Sequence, residues 1–205
     1  MSVKFTKEEA DRIINIEGNV RLATFNTYYS FIFDIKGKEG VEAVEKKLKE
    51  VGYPMDLEGL YKGDSLKWVP QAQGCLILVA ILDYLGWEEK DAQKIGYFLS
   101  ATTFFTKLII KYIISPEKTF KESAKLWKRH YAFSELELIE SNLEKKYVVF
   151  RINNFKKFHL ALYYSIGGYI VKIVEMATGS KKTNLELTKC IFWNDPYDEI
   201  KITWE

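Results

Sequence analysis

The feature that most constrains how this chain can fold is a change of residue pattern near residue 131. Before that point apolar residues mostly recur at helical spacing, whereas alternating apolar and polar residues dominate after it. Residues 135–141 alternate and residues 147–152 are rich in β-branched and aromatic side chains, so a β-hairpin is predicted there. The closing residues 184–204 predict a second hairpin, whose last strand alternates Ile200, Ile202 and Trp204.

One long apolar stretch, residues 158–179, lies between the two hairpins and predicts a helix that covers one face of their sheet. Strands joined by hairpins are antiparallel neighbours. The predicted fold class is therefore α+β, with an N-terminal helical part followed by a ββ-α-ββ unit that forms a four-stranded antiparallel sheet packed with helices. We expect a single domain over residues 1–205, helical in 1–131 and sheet-containing in 132–205.

Local signals place several helices in the first part. Thr6 followed by Glu9 is a capping-box pattern, and Ser115 before Pro116 is typical of a helix start. Residues 21–35 are apolar and aromatic and predict a largely buried helix. Further helices are predicted over residues 41–51, 70–85, 88–99 and 104–114, and a loop over 53–69.

Two glycines interrupt the predicted helix of residues 158–179. Gly167 and Gly168 each cost about 1 kcal/mol of helix stability relative to alanine. We expect the chain to tolerate that cost because another backbone approaches closely at this point.

Charge and hydropathy exclude two classes of partner. The chain has 30 Lys and Arg against 28 Asp and Glu, and its basic pairs are scattered, so no nucleic-acid interface is expected. The longest apolar run, residues 75–82, is much shorter than the ~20 residues of a membrane span. The N-terminus has no apolar signal-peptide core, so a cytosolic protein is predicted, with Cys75 and Cys190 as reduced thiols.

The familiar catalytic motifs do not occur in the sequence. It has no glycine-rich phosphate loop, no Gly-x-Ser-x-Gly and no His-Glu-x-x-His, so we expect no enzyme and no catalytic residue. His130 suits a helix C-terminus, His159 opens the apolar helix, and Glu175 is expected to be an exposed charge near the end of that helix. A Cys190–His nucleophile remains an alternative, although nothing in the sequence brings an imidazole to Cys190.

Aromatic residues are abundant, with 13 Tyr, 13 Phe and 5 Trp. They indicate either a core built from large rings or an aromatic-lined cavity for an apolar ligand. The candidate ligand-binding residues are Trp68, Phe104, Phe105, Leu108, Tyr112, Trp127, Tyr131, Tyr163 and Tyr164.

Two stretches carry a resemblance, "SPEKTFKESAKLWKRHYAFSELELIES" and "LTKCIFWNDPYDEIKITWE". They resemble a family of uncharacterised bacterial proteins of about this length that is abundant in myxobacteria. That family is similar in turn to the 4-vinyl reductase domain, the haem–nitric oxide binding domain and the TRAPP vesicle-tethering subunits, which share one ligand-binding fold. The matching positions are Trp68, Pro70, Leu126, Trp127, His130, Tyr131, Cys190, Asn194, Asp195, Pro196 and Trp204.

The chain also departs from this resemblance. Asp198 stands where the family often has a second cysteine, which argues against a disulfide or a metal at Cys190. Residues 108–114 lack the histidine that haem-binding relatives carry before the first hairpin, and the Tyr-x-Ser-x-Arg motif for the haem propionates is absent. We therefore expect no cofactor and no metal, with His130 as a replacement axial ligand left open.

The resemblance implies a non-catalytic, cytosolic small-molecule sensor or carrier with an aromatic-lined apolar cavity. The alternative is a dimeric protein-interaction scaffold without a resident ligand, similar to the vesicle-tethering subunits. In that case the apolar residues 20–33 would form the face of a homodimer. An enzyme related to a vinyl-group reductase is a third reading.

Overall fold

The structure is a computed structural model, and it describes residues 2–102 and 115–205. The α-helices within these residues are α1 Lys7–Ile14, α2 Tyr28–Glu50, α3 Leu57–Lys62, α4 Gln71–Leu85, α5 Ala92–Thr102, α6 Pro116–Trp127 and α7 Leu160–Thr178. The strands are β1 Asn19–Arg21, β2 Trp68–Pro70, β3 Glu135–Asn142, β4 Tyr147–Asn153, β5 Thr183–Lys189 and β6 Asp198–Trp204. Short 3-10 turns cover Leu22–Thr24, Glu89–Asp91 and Ile191–Trp193.

The second part of the chain forms the predicted sheet. Its four antiparallel strands lie in the order β3-β4-β6-β5, so the two hairpins meet through β4 and β6. In that central pair Val148 lies opposite Ile202 and Phe150 opposite Ile200, and all four side chains are fully buried. The α+β prediction, with its four-stranded antiparallel sheet, is confirmed.

Helix α7 packs against the sheet and against α5. A Cβ at Gly168 would lie 2.0 Å from the Gln93 carbonyl oxygen, and one at Gly96 would lie 1.7 Å from the Ser165 carbonyl oxygen. The two helices therefore cross in backbone contact, as predicted from the glycine pair. Gly167 differs from its neighbour because it faces the Leu185 side chain rather than a backbone.

Among the described residues, α7 is the one helix long and apolar enough to cross a membrane by length and composition alone. Within the fold, 61% of its most apolar window is buried. That burial, against α5 and the sheet, is what a core helix of this length shows.

Two predictions for the helical part were wrong. Residues 21–35 do not form one helix, because Val20 pairs with Val69 of β2 and the Arg21 N–H donates to the His130 carbonyl. These long-range backbone bonds hold Asn19–Arg21 extended, a 3-10 turn follows at Leu22–Thr24, and the α-helix begins only at Tyr28. It then continues through Gly37, whose φ of 63° bends it.

The predicted loop over residues 53–69 is also partly regular. It contains α3, which Asp56 caps by accepting a hydrogen bond from the Gly59 N–H at 2.8 Å, and it ends in β2. The aspartate that suggested a loop is therefore an N-cap. The helix predicted over residues 104–114 lies outside the described residues.

The capping predictions are confirmed. The Thr6 hydroxyl accepts from the Glu9 N–H at 3.2 Å to start α1, and the Ser115 hydroxyl accepts from the Lys118 N–H at 3.3 Å to start α6. Helix α6 buries Phe120 and Trp127, which brings its C-terminal end to the sheet and to the site described next.

Candidate functional site

A cavity of about 680 Å³ lies beside α7. Its lining comes from both parts of the chain: β1, β2 and the starts of α2 and α4 on one side, and the end of α6, the sheet and α7 on the other. A volume of this size falls within the range of small-molecule pockets.

One face of α7 forms the apolar wall of the cavity. The lining residues Leu162, Ile166, Ile170 and Ile173 follow helical spacing, so they project from one side of the helix. Phe150 of the sheet also lines the cavity. An apolar body would lose its water shell against this surface, which is the main source of affinity for such ligands.

Aromatic rings line the part of the cavity next to the C-terminal end of α6. The Trp127 and Tyr131 rings stack with centroids 3.9 Å apart and an interplanar angle of 7°. The Trp127 indole Nε1 donates to the Ser134 hydroxyl at 3.0 Å, so its orientation is set by a buried hydrogen bond. Trp68 of β2 lines the same cavity.

Three of the predicted ligand-binding residues, Trp68, Trp127 and Tyr131, therefore meet at one cavity. Tyr163 and Tyr164 are not among its described lining residues. They point elsewhere because each residue along a helix turns by about 100° from the one before. The Tyr163 hydroxyl donates to the Lys156 carbonyl at 2.9 Å, and its ring packs against Phe155 and Phe192. The remaining candidates, Phe104, Phe105, Leu108 and Tyr112, lie outside the described residues.

Cationic side chains line one part of the cavity, and none of the described lining residues is acidic. The Arg21 guanidinium lies 4.0 Å from the centre of the Trp68 ring and donates to the Leu66 carbonyl, so it is held in place. Lys128 pairs with Glu135 at 2.8 Å, and Arg129 lies beside it. We call Arg21, Lys128 and Arg129 the cationic rim.

His130 lines the cavity beside the cationic rim. Burial lowers the pKa of its imidazole, and the charges of Arg21 and Arg129 lower it further. The side chain is therefore neutral at physiological pH. The predicted location at a helix end is confirmed, since the His130 N–H donates to the Trp127 carbonyl at 2.9 Å just beyond α6.

Two buried oxygens on the lining, Thr27 Oγ1 and Gln71 Oε1, have no hydrogen-bond partner among the described residues. Gln71 is 1% exposed. A buried polar group without a partner costs about 1–3 kcal/mol. Sequence reasoning missed both residues, and the only signal was a glutamine that opens an otherwise apolar helix.

The cysteine alternative gains no support from the geometry. Burial raises the pKa of the Cys190 thiol to about 12, so the thiol is protonated and a poor nucleophile at neutral pH. His159 is used as the N-cap of α7, where its Nδ1 accepts from the Ala161 N–H at 3.1 Å. Cys75 and Cys190 are both buried free thiols.

The prediction that Glu175 is an exposed charge was wrong. Its side chain is only 12% exposed. It accepts hydrogen bonds from the Tyr97 hydroxyl at 2.6 Å and the Thr183 hydroxyl at 3.1 Å, and it lies 3.5 Å from the Lys172 ammonium. These contacts join α5, α7 and β5, which is a structural role.

Solved structures with the same fold are H-NOX proteins. An H-NOX protein from S. oneidensis in the Fe(II)NO ligation state matches with a TM-score of 0.64 and 14% identity, over 90% of this chain and 99% of that one. A Cs H-NOX mutant matches with a TM-score of 0.61 and 12% identity, over 90% and 96% of the two chains. An oxygen-binding H-NOX domain related to soluble guanylate cyclases has a TM-score of 0.55 and 14% identity, over 87% and 92%.

The chain thus has the H-NOX fold, and the predicted likeness to the haem–nitric oxide binding domain is confirmed at the level of fold. No family model matches the chain, and a search of curated proteins finds no match either. The resemblances to the myxobacterial family, the 4-vinyl reductase domain and the TRAPP subunits remain predictions.

The H-NOX fold raises the question of whether this cavity suits haem. His130 is the one imidazole among the described lining residues. Arg21 and Arg129 disfavour a proton on it, and the same charges oppose a metal cation there. The described residues therefore do not fit a haem iron held through His130.

Proposed function

We propose that this protein binds a small, largely apolar molecule in the cavity beside α7 and acts as a sensor or carrier rather than an enzyme. One observation carries the proposal, namely a cavity of about 680 Å³ with an apolar helix face, fixed aromatic rings and a cationic rim. The chemistry of the lining suits binding, because it combines a mostly apolar and aromatic surface with a few polar groups.

The position of the cavity supports a sensor mechanism. Its walls belong both to the helical part and to the sheet-containing part, so a bound ligand contacts both. A ligand that prefers one packing of these parts shifts the population toward it, by as much as its affinities for the two packings differ. A cytosolic location is part of the same proposal.

Titration with the fluorescent anion 8-anilino-1-naphthalenesulfonate (ANS) tests the proposal. The variant Ile166→Trp places an indole into the cavity from the wall of α7, and we expect it to weaken ANS binding at least tenfold. Leu143→Trp adds the same indole at an exposed position outside the lining, and it should bind as the wild type does.

Native mass spectrometry of freshly purified protein complements the titration. We expect an extra mass that is lost on denaturation. Because ANS also binds loosely packed states, both variants should unfold in urea as cooperatively as the wild type does, with the same m-value. Equal ANS affinity in wild type and Ile166→Trp, together with a clean mass of the bare chain, would overturn the proposal.

A second candidate function, a homodimeric interaction scaffold, is favoured by one surface feature. Tyr29 stacks on Phe33 at 5.7 Å and on Tyr61 at 5.1 Å, and Phe33 and Tyr61 are 45% and 42% exposed. Most apolar residues of the segment 20–33 are buried in the core of their own chain, which leaves this aromatic ladder as the available face. A concentration-dependent dimer in sedimentation velocity that Phe33→Ser abolishes would support the scaffold.

A further inference from the structure

We infer that the cavity is built for a hydroxylated or N–H-bearing organic acid: an apolar body, an acidic group at the cationic rim and a hydrogen-bond donor toward Thr27 and Gln71. This inference rests on the proposed function and names the ligand class. It follows from the two polar features of the lining, the buried oxygens and the rim charges.

Gln71 is fixed where it can receive a donor. It is the first residue of α4, and its backbone N–H donates to the Gly18 carbonyl at 2.8 Å. The side-chain carbonyl oxygen is buried on the lining and has no partner within residues 2–102 and 115–205. An amide oxygen only accepts hydrogen bonds, so its complement is an O–H or an N–H.

Thr27 adds a second polar atom to the same lining. It occupies the N-cap position of α2, where a threonine hydroxyl ordinarily accepts from a backbone N–H, yet this hydroxyl makes no cap bond. Its Oγ1 is buried without a partner in the described part of the chain. A hydroxyl can donate or accept, so a ligand hydroxyl or N–H can form a hydrogen bond with it as well.

The cationic rim is the reason to expect an acidic group on the ligand. Arg21 is occupied by the Trp68 ring and the Leu66 carbonyl, and Lys128 is paired with Glu135. Arg129 makes no salt bridge within the described residues, and a guanidinium can bind a carboxylate through two parallel hydrogen bonds.

A matched set of probes tests both halves, and isothermal titration calorimetry measures their affinities. The probes are 10-hydroxydecanoate, decanoate and 1,10-decanediol, which share a flexible apolar chain and differ in one end group. We expect 10-hydroxydecanoate to bind about 5–10-fold more tightly than decanoate and about tenfold more tightly than the diol.

Variants assign each preference to its residue. Gln71→Leu should abolish the preference for the hydroxyl, whereas Gln73→Leu, on the same helix but off the lining, should keep it. Thr27→Val, nearly the same shape, should reduce the same preference and gives an independent readout. Arg129→Gln should weaken both carboxylates and leave the diol unchanged, and Lys125→Gln on α6 is its control.

The outcomes separate the inference from the proposed function. If decanoate and 10-hydroxydecanoate bind wild type equally and Gln71→Leu changes neither, the donor part is overturned while ligand binding stands. If Arg129→Gln weakens the diol as much as the acids, the acidic part is overturned. If neither ANS nor any probe binds, the proposed function fails, and the ligand class fails with it.

Discussion

Helix α7 has two contrasting sides. On one side Gly168 and Gly96 let α5 and α7 approach until their backbones touch, and no space remains for a single methyl group. On the other side Ile166 and Ile170 border a cavity of about 680 Å³. One helix thus combines a close backbone-to-backbone contact with an open wall. The contrast shows that the cavity is not a sign of loose packing, because its own wall is held rigidly from behind.

The largest expected effect comes from filling the tight side. Gly168→Ala gains about 1 kcal/mol of helix propensity but drives a Cβ into the Gln93 carbonyl, so we expect a net loss of about 3 kcal/mol or more in the free energy of unfolding. Gly167→Ala is the matched control, since its Cβ meets only the end of the Leu185 side chain. Chemical denaturation should rank wild type and Gly167→Ala close together and Gly168→Ala far below. If both variants were equally stable, the close backbone contact of α7 with α5 would not be the feature that distinguishes the two sides of the helix.

The sheet also contains a buried carboxylate, that of Asp198 in β6, whose charge should destabilise the fold. Asp198 is 1% exposed, and burial raises its pKa to about 6, against the ordinary 3.8, although the Ile191 N–H and the Cys190 thiol partly offset the shift. Between these values the native state binds more protons than the unfolded chain, so the stability from this group is fully present below pH 3.8 and is lost as the pH rises to about 6.

Asp198→Asn should therefore stabilise the protein by about 2–3 kcal/mol at pH 8 and change it little near pH 4. Urea denaturation at the two pH values measures the difference. Glu186→Gln, at an exposed position of β5, should show no such pH dependence. A wild-type protein that gains stability from pH 4 to pH 8 relative to Asp198→Asn would contradict the assignment.

A smaller effect is expected on the open side. Gln71→Leu removes a buried oxygen that has no partner in the described residues, so the ligand-free protein should become more stable by about 1–2 kcal/mol. A melting experiment on ligand-free protein, with Gln73→Leu beside it, measures this. Destabilisation by Gln71→Leu would mean that the oxygen has a structural role, and it would weaken the contrast between the two sides of α7.

The sheet and the helix ends could be predicted because their signals are local. Alternation over a few residues defines β4 and β6, and Ser115 with Pro116 marks a helix start within two positions. The pairing of β1 with β2 could not be predicted in this way, because its three residues on each side are joined by contacts about 50 positions apart in the chain.

The site was predictable in part for the same reason. Trp127 and Tyr131 are four residues apart, and helical spacing places such a pair on a common face. Spacing alone does not tell which face of α7 borders the cavity. Tyr163 was therefore predicted to bind the ligand, whereas Ile166 is the residue that lines the cavity. The unpaired oxygen of Gln71 is a property of the assembled structure, and no sequence pattern encodes it.

The stacked pair of Trp127 and Tyr131 has an optical consequence. An indole locked by Ser134 and stacked flat on a tyrosine has a fixed electronic environment, and here that indole also forms part of the cavity lining. A molecule that enters the cavity replaces the medium beside one oriented chromophore. Ligand binding should therefore change the tryptophan emission and the near-ultraviolet dichroism. The unlabelled protein thus reports the occupancy of its own cavity.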